Sequence, residues 1–194
     1  MAQRIVIIQG HPDPAGGHFC HALAEAYAVG ADVTGHELRR IDVAQLEVPL
    51  LRNKADFENG ALPEDIARAQ EALVWAEHWV LIYPLWLGTM PALLKAFLEQ
   101  ALRPGFAFDY GPDGTWSKKL TGRSARVVVT MAMPGWAYNW VYGAHSLKSL
   151  ERHILGFVGI GPIQESVIGL AEADDPAGRE AWLARLTDHG RDGE

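Results

Sequence analysis

Apolar runs alternate along the chain with stretches of helical spacing. Arg4–Gln9 is β-branched and almost wholly apolar, which predicts a strand buried on both faces. From Gly17 the spacing changes, and Phe19, Leu23, Ala26 and Tyr27 mark a helix. Val33–Ile41 alternates weakly and predicts a second strand, and Asp42–Pro63 reads as an irregular excursion. Glu64–Glu77 is helical, with Ile66, Leu73 and Val74 on one face and Pro63 near its start. Trp79–Tyr83 is a third strand, followed by the loop PLWLGTM and a helix from Pro91 through Leu102. Arg103–Arg123 is a long loop rich in Gly, Pro and aromatics. Ala125–Met131 is a fourth buried strand, AMPGWAYNW its loop, and Ala144–Gly156 a helix. Pro162–Leu170 is a fifth strand, Asp174–Asp188 an amphipathic helix, and HGRDGE a frayed tail.

This alternation, with no internal repeat or linker, predicts one α/β domain over residues 1–194. Strands that are continuous apolar runs imply a parallel sheet with helices on both faces. Five such strands are expected in the order 2-1-3-4-5, with the ligand beyond their carboxyl ends at the switch point between the first and third. The loops after the first, third and fourth strands are therefore the ones to read.

The first is GHPDPAGGHFCHAL. Its helix opens near Gly17–His18, so free N–H groups and the helix dipole favour phosphate there. Gly16 and Gly17 allow close backbone approach, and His11 and His18 can donate to phosphate oxygens. The bland alternative is a β-α turn with incidental histidines. A metal site at His18, Cys20 and His21 is set aside, because His21 falls on another side of the helix and no second ligand cluster exists. In YPLWLGTMPALLKAF, the apolar Pro84, Trp86, Leu87 and Gly88 lie where a flat ring would lie, against the alternative of a packed core turn. The third loop gathers Trp136, Tyr138, Trp140, Tyr142 and His145. A hydroxyl or imidazole there could stabilise charge developing on a redox ring, and such aromatics also suit a subunit interface.

Charge and composition narrow the classes. The net charge of −7, with no Lys/Arg run, argues against nucleic acid or an anionic membrane as partner. Cys20 is the only cysteine, which excludes intramolecular disulfides and suits a reducing cytoplasm. The uncharged run Trp79–Leu94 is shorter than the roughly 20 residues of a membrane span and holds Pro84 and Pro91. MAQRIVIIQGHPD lacks the form of a signal peptide, so a cytoplasmic protein is expected.

Four pieces, HPDPAGGHF, YPLWLGTMPALLKAF, GFAF (Gly105–Phe108) and GAHS (Gly143–Ser146), give the chain a resemblance to a known family. It resembles the flavodoxin-like NAD(P)H:quinone oxidoreductases, the group of DT-diaphorase and of the ancillary oxidoreductases of potassium efflux systems. The resemblance runs through nearly the whole chain, in order. It implies a flavodoxin-like three-layer sandwich and a flavin reductase that passes two electrons to quinones or similar flat acceptors by a ping-pong mechanism. FAD is the first cofactor implied, FMN its alternative, and NAD(P)H the co-substrate. The flavin would be held by His11, Gly17, His18, Phe19 and Cys20, by Pro84, Leu85, Trp86 and Leu87, and by Met133, Pro134, Gly135 and Tyr138. His145 and Tyr138 (or Tyr142) would stabilise the reduced ring, and Trp86, Trp136, Trp140 and Phe108 would select the acceptor. A homodimer with the site at its interface is implied, and a transporter partner with peripheral membrane association is known for some relatives. His18 stands where the family has a serine, and MPG replaces the paired glycines after the fourth strand. The rival classes are a one-electron FMN carrier and a regulatory subunit of a transporter.

Overall fold

The computed structural model describes residues 2–111 and 113–194; Met1 and Pro112 lie outside them. Strands β1 (Arg4–Gln9), β2 (Glu37–Asp42), β3 (His78–Pro84), β6 (Ser124–Thr130) and β7 (Ile163–Ile168) form one sheet in the order β2-β1-β3-β6-β7. Every neighbouring pair in it is parallel. The expected order holds once β4 (Phe108–Tyr110) and β5 (Trp116–Lys118) are set apart, because they form a separate antiparallel two-stranded sheet.

Alternate residues of each strand face opposite ways, and the core divides accordingly. Val6, Ile8, Trp79, Leu81, Val127 and Val129 join the larger cluster, with residues of α3 (Glu64–Trp75) and α4 (Ala92–Ala101). Ile5, Ile7, Val80, Ile82 and Val128 join the smaller, with α1 (Phe19–Val33) and α8 (Pro176–Asp192). Helix α1 buries Cys20, Leu23, Ala24, Tyr27, Ala28 and Ala31, a helical stripe. It crosses α8 at very close range. A Cβ on Gly30 would lie 1.9 Å from the Thr187 carbonyl oxygen, and one on Gly190 2.1 Å from that of Tyr27.

Several expectations are corrected. Helix α1 runs through Val33 and turns at Gly35 (φ 77°), so the second strand starts at Glu37 rather than Val33. The excursion holds α2 (Lys54–Asn59), capped by the Asn53 side chain on the Asp56 N–H. The long loop holds the β4–β5 hairpin. AMPGWAYNW is a loop only as far as Pro134, because α5 spans Gly135–Trp140. The next helix is broken into α6 (His145–Ser149), a π turn (Leu150–Leu155) and α7 (Gly156–Val158). The tail is not frayed: α8 continues to Asp192, and the buried Arg126 donates through Nε to the Glu194 carbonyl (2.8 Å). Among the described residues no helix is long and apolar enough to cross a membrane.

Candidate functional site

Going outward from β1, the chain moves to β2 on one side and to β3 on the other, which puts the switch point between β1 and β3. A cleft of about 310 Å³ opens there. Its walls come from the loop after β1 (His11, Gly17, His18, Phe19, Cys20), the end of β3 (Pro84, Leu85, Trp86), the end of β6 (Thr130, Met131, Ala132) and the segment after β7 (Ala171, Glu172, Arg179).

The β1 loop is shaped by its own polar groups. The Gln9 side chain accepts from the His11 N–H (3.0 Å), and His11 Nδ1 accepts from the Asp13 N–H (3.2 Å). That leaves Nε2 as the donor of the neutral His11 ring. The His11 and His18 rings stack at 3.8 Å, and the His21 ring lies 5.3 Å from His11. His18 bonds the Asp13 carboxylate (2.7 Å). Burial first, then His18 and His21, lowers the His11 pKa to about 4, with Asp13 pulling the other way. The His18 side chain does not cap α1, whose first N–H groups lack intrahelical acceptors. Gly16 and Gly17 have φ of 73° and 78°, a left-handed conformation that glycine adopts without strain. Cys20 lines the cleft floor, with Sγ 3.2 Å from Thr130 Oγ1. Its burial pushes the thiol up to about 11, so it is not a thiolate nucleophile at neutral pH.

The β3 loop is tied to β6 by the Leu85 N–H on the Thr130 carbonyl (2.7 Å). Trp86 and Thr89 then exchange backbone bonds across Leu87 and Gly88, whose φ values are 47° and 80°. Two central residues with positive φ match a type I′ turn. Leu87 holds a left-handed backbone at a cost of about 1 kcal/mol; it is fully exposed and not part of the cleft lining. The half-exposed Trp86 stands edge-on to His11, with centroids 6.0 Å apart.

The third loop departs most from expectation. Tyr138 is buried and does not line the cleft. Its hydroxyl bonds Ser146 Oγ (2.7 Å) and accepts from the Leu147 N–H (3.2 Å), so it clasps α5 to α6. The Tyr138 hydroxyl is thus engaged within the protein. Met133, Pro134 and Gly135 also lie outside the cleft lining. The Met133 carbonyl accepts from Leu170, and a Cβ on Gly169 would come within 2.2 Å of the Gly135 nitrogen. Trp136 and Trp140 are exposed on α5, and His145 is exposed at the start of α6. The His145 ring lies against Gly143, where a Cβ would meet Nε2 at 2.9 Å. Gly143 and Ala144 both have positive φ (64° and 49°), so a strained corner presents this histidine.

Phe108 lies apart from the cleft. It is buried at the hairpin, edge-on to Tyr110 and Phe157, and lines a separate apolar pocket. Sequence reasoning missed Thr130, Glu172 and Arg179. The Arg179 guanidinium lies over the Phe19 ring at 5.4 Å and donates to the Ala171 carbonyl (2.8 Å). The place of the segment after β7 is readable, since it opens at the same sheet edge as the other three loops, but the reach of Arg179 from α8 is not.

Residues 3–189 match the family model described as flavodoxin-like fold. An FMN-dependent NADH:quinone oxidoreductase from Pseudomonas fluorescens is 30% identical over 147 residues, covering 70% of this chain and 68% of the relative. A ribosyldihydronicotinamide dehydrogenase-like protein from Penicillium crustosum is 26% identical over 178 residues, 78% of this chain. The chain spans less than two thirds of the length of the first curated relatives it matches, 64% in the fungal case. The solved NAD(P)H:quinone oxidoreductase of Methanothermobacter marburgensis superposes over the whole of both chains with a TM-score of 0.86 at 24% identity. The chain belongs to the flavodoxin-like family that includes the NAD(P)H:quinone oxidoreductases.

Proposed function

We propose that this chain is a flavin-dependent NAD(P)H oxidoreductase that delivers two electrons to quinones or similar flat acceptors. One observation carries the reading: the switch-point cleft joins a histidine-rich helix N-terminus to an apolar wall. The residues fit a flavin. The open N–H groups of α1 and the neutral His11 donor suit a phosphate, and Pro84, Leu85 and Trp86 suit a ring. FMN has direct support in the bacterial relative's name, whereas FAD rests on the histidine loop alone.

A bound flavin would supply the redox chemistry, the exchange of two electrons between NAD(P)H and the acceptor. The chain does the rest. His11, His18 and the start of α1 hold the phosphate. Leu85 and Trp86 orient the ring and exclude water. Arg179 sets a positive charge on the opposite wall. His145 donates a hydrogen bond to negative charge as it develops, and Tyr138 acts through its bond to Ser146 by fixing α6. Use of one site by donor and acceptor in turn would make the kinetics ping-pong. A second copy of the chain would cover Trp136, Trp140 and Tyr142 and complete the acceptor site.

A phosphate test is direct. Adding FMN should raise the His11 pKa from about 4, because a nearby anion favours the imidazolium. An NMR titration of the ring reads it. An unchanged value would place the phosphate elsewhere.

A further inference from the structure

Asp13 makes three separate contacts in the loop after β1. Its main-chain N–H donates to His11 Nδ1 (3.2 Å), its Oδ1 accepts from the Ala15 N–H (2.9 Å), and its Oδ2 meets His18 Nε2 at 2.7 Å. The two imidazoles it touches stack on each other, 3.8 Å apart and 17° from parallel. An exposed ion pair by itself fixes little. Here the Asp13 and His18 side chains are partly open, but each is held from a second side. The Ala15 N–H holds Asp13, and the face of the buried His11 ring holds His18.

These contacts decide which nitrogens carry hydrogen. His11 Nδ1 accepts, so Nε2 is the donor of that neutral ring. The Asp13 carboxyl is held below its usual range, by His18 first and then by the Ala15 N–H, so it is ionised and can only accept. His18 Nε2 therefore carries a hydrogen. Two imidazolium rings stacked at this distance would repel, so the pair holds one positive charge at most. Burial is the first cause that keeps it off His11. When the pair takes a proton, His18, beside the carboxylate, holds it.

We propose that Asp13 is the positioning residue of the phosphate loop: its main chain makes His11 a neutral donor, and its carboxylate makes His18 a donor only when protonated. A neutral His18 has its Nε2–H taken by Asp13 and offers only a bare Nδ1, which a phosphate oxygen cannot use. A proton on Nδ1 turns that nitrogen into a donor. Binding of a phosphate group therefore takes up a proton at His18. That a flavin phosphate is the group bound rests on the function proposed above; the hydrogen positions in the free protein do not. The other charged groups near the pair are His21 of α1, whose ring lies 5.7 Å from that of His18, and Glu172 and Arg179 in the lining of the same cleft.

Asp13→Asn tests the assignment. It keeps the main-chain N–H for His11 and an oxygen for the Ala15 N–H, and sets an amide N–H against His18 in place of an acceptor. NMR of the ¹⁵N-labelled imidazoles of the free protein distinguishes bare from protonated nitrogens. His11 should stay Nε2–H in both proteins, and neutral His18 should switch from Nε2–H to Nδ1–H in the variant. Titrations with FMN, and with riboflavin as the probe that lacks phosphate, read the consequence. Wild-type affinity for FMN should fall with rising pH by up to about tenfold per pH unit where His18 must be protonated to bind. Asp13→Asn should lose that fall, because its neutral ring already presents Nδ1–H. Ionisation of FMN's own phosphate acts alike in both proteins and cancels in the comparison, and riboflavin affinity should be the same in both. A His18 tautomer unchanged by the substitution, or the same FMN profile in both proteins, overturns the assignment. A wild type that binds neither flavin would sink the proposed function, and the tautomer switch would then decide the role of Asp13 alone.

Discussion

Gly30→Leu is expected to lower stability by roughly 3 kcal/mol and Tm by about 6–12 °C. Any Cβ at this position meets the Thr187 carbonyl oxygen at 1.9 Å and the Arg191 nitrogen at 3.1 Å. Both are backbone atoms of α8, which cannot rotate aside as a side chain can. Gly190 makes the reciprocal approach to Tyr27, so the two helices meet backbone to backbone. The better helix propensity of Leu, worth about 1 kcal/mol, does not offset the displacement. The cost reaches the cleft as well. Arg179 lies in the first turn of α8 and spans from Phe19 to the Ala171 carbonyl. Moving α8 moves that wall, so FMN affinity should fall together with Tm. A thermal melt and a fluorescence titration measure both; an unchanged Tm would mean that the helices part without cost.

His145→Ala should slow reduction of the bound ring on the order of 100-fold, the effect of losing one donor aimed at developing charge, and leave flavin binding unchanged. His145 belongs to α6, outside the lining of the phosphate end of the cleft. Stopped-flow reduction with NADH, alongside a binding titration, separates the two effects. Gly143→Ala offers a control that keeps the imidazole. Its new methyl would occupy the place of the His145 ring and strain a backbone at φ 64°, so it should produce the same kinetic defect. Reduction at the wild-type rate in His145→Ala would remove this residue from the mechanism.

The central strands are readable because burial on both faces makes them mostly apolar: the interiors of β1 and β3 are continuous apolar runs, that of β6 is broken by the buried Arg126, and each is found within a few residues of its expected place. The edge strand β2 (ELRRID) has no such run, and it starts later than its pattern suggests because Val33 belongs to α1 and is exposed there. Strands as short as FDY and WSK cannot display a period, which hid the hairpin. The aromatic run after β6 read as a loop because Pro134 and Gly135 open it; its single inward side chain, Tyr138, is set by a six-residue helix too short to show a stripe. At the site, the phosphate loop and the β3 wall were legible from residue type and place. Arg179 was not, since it reaches the cleft from a helix whose own pattern shows only an amphipathic surface.

The visible spectrum of the purified protein, before and after anaerobic NADH and NADPH, tests the central claim most directly. The account predicts flavin bands that bleach with one or both nucleotides and return when a quinone is added. A colourless protein that takes up neither FMN nor FAD would contradict it.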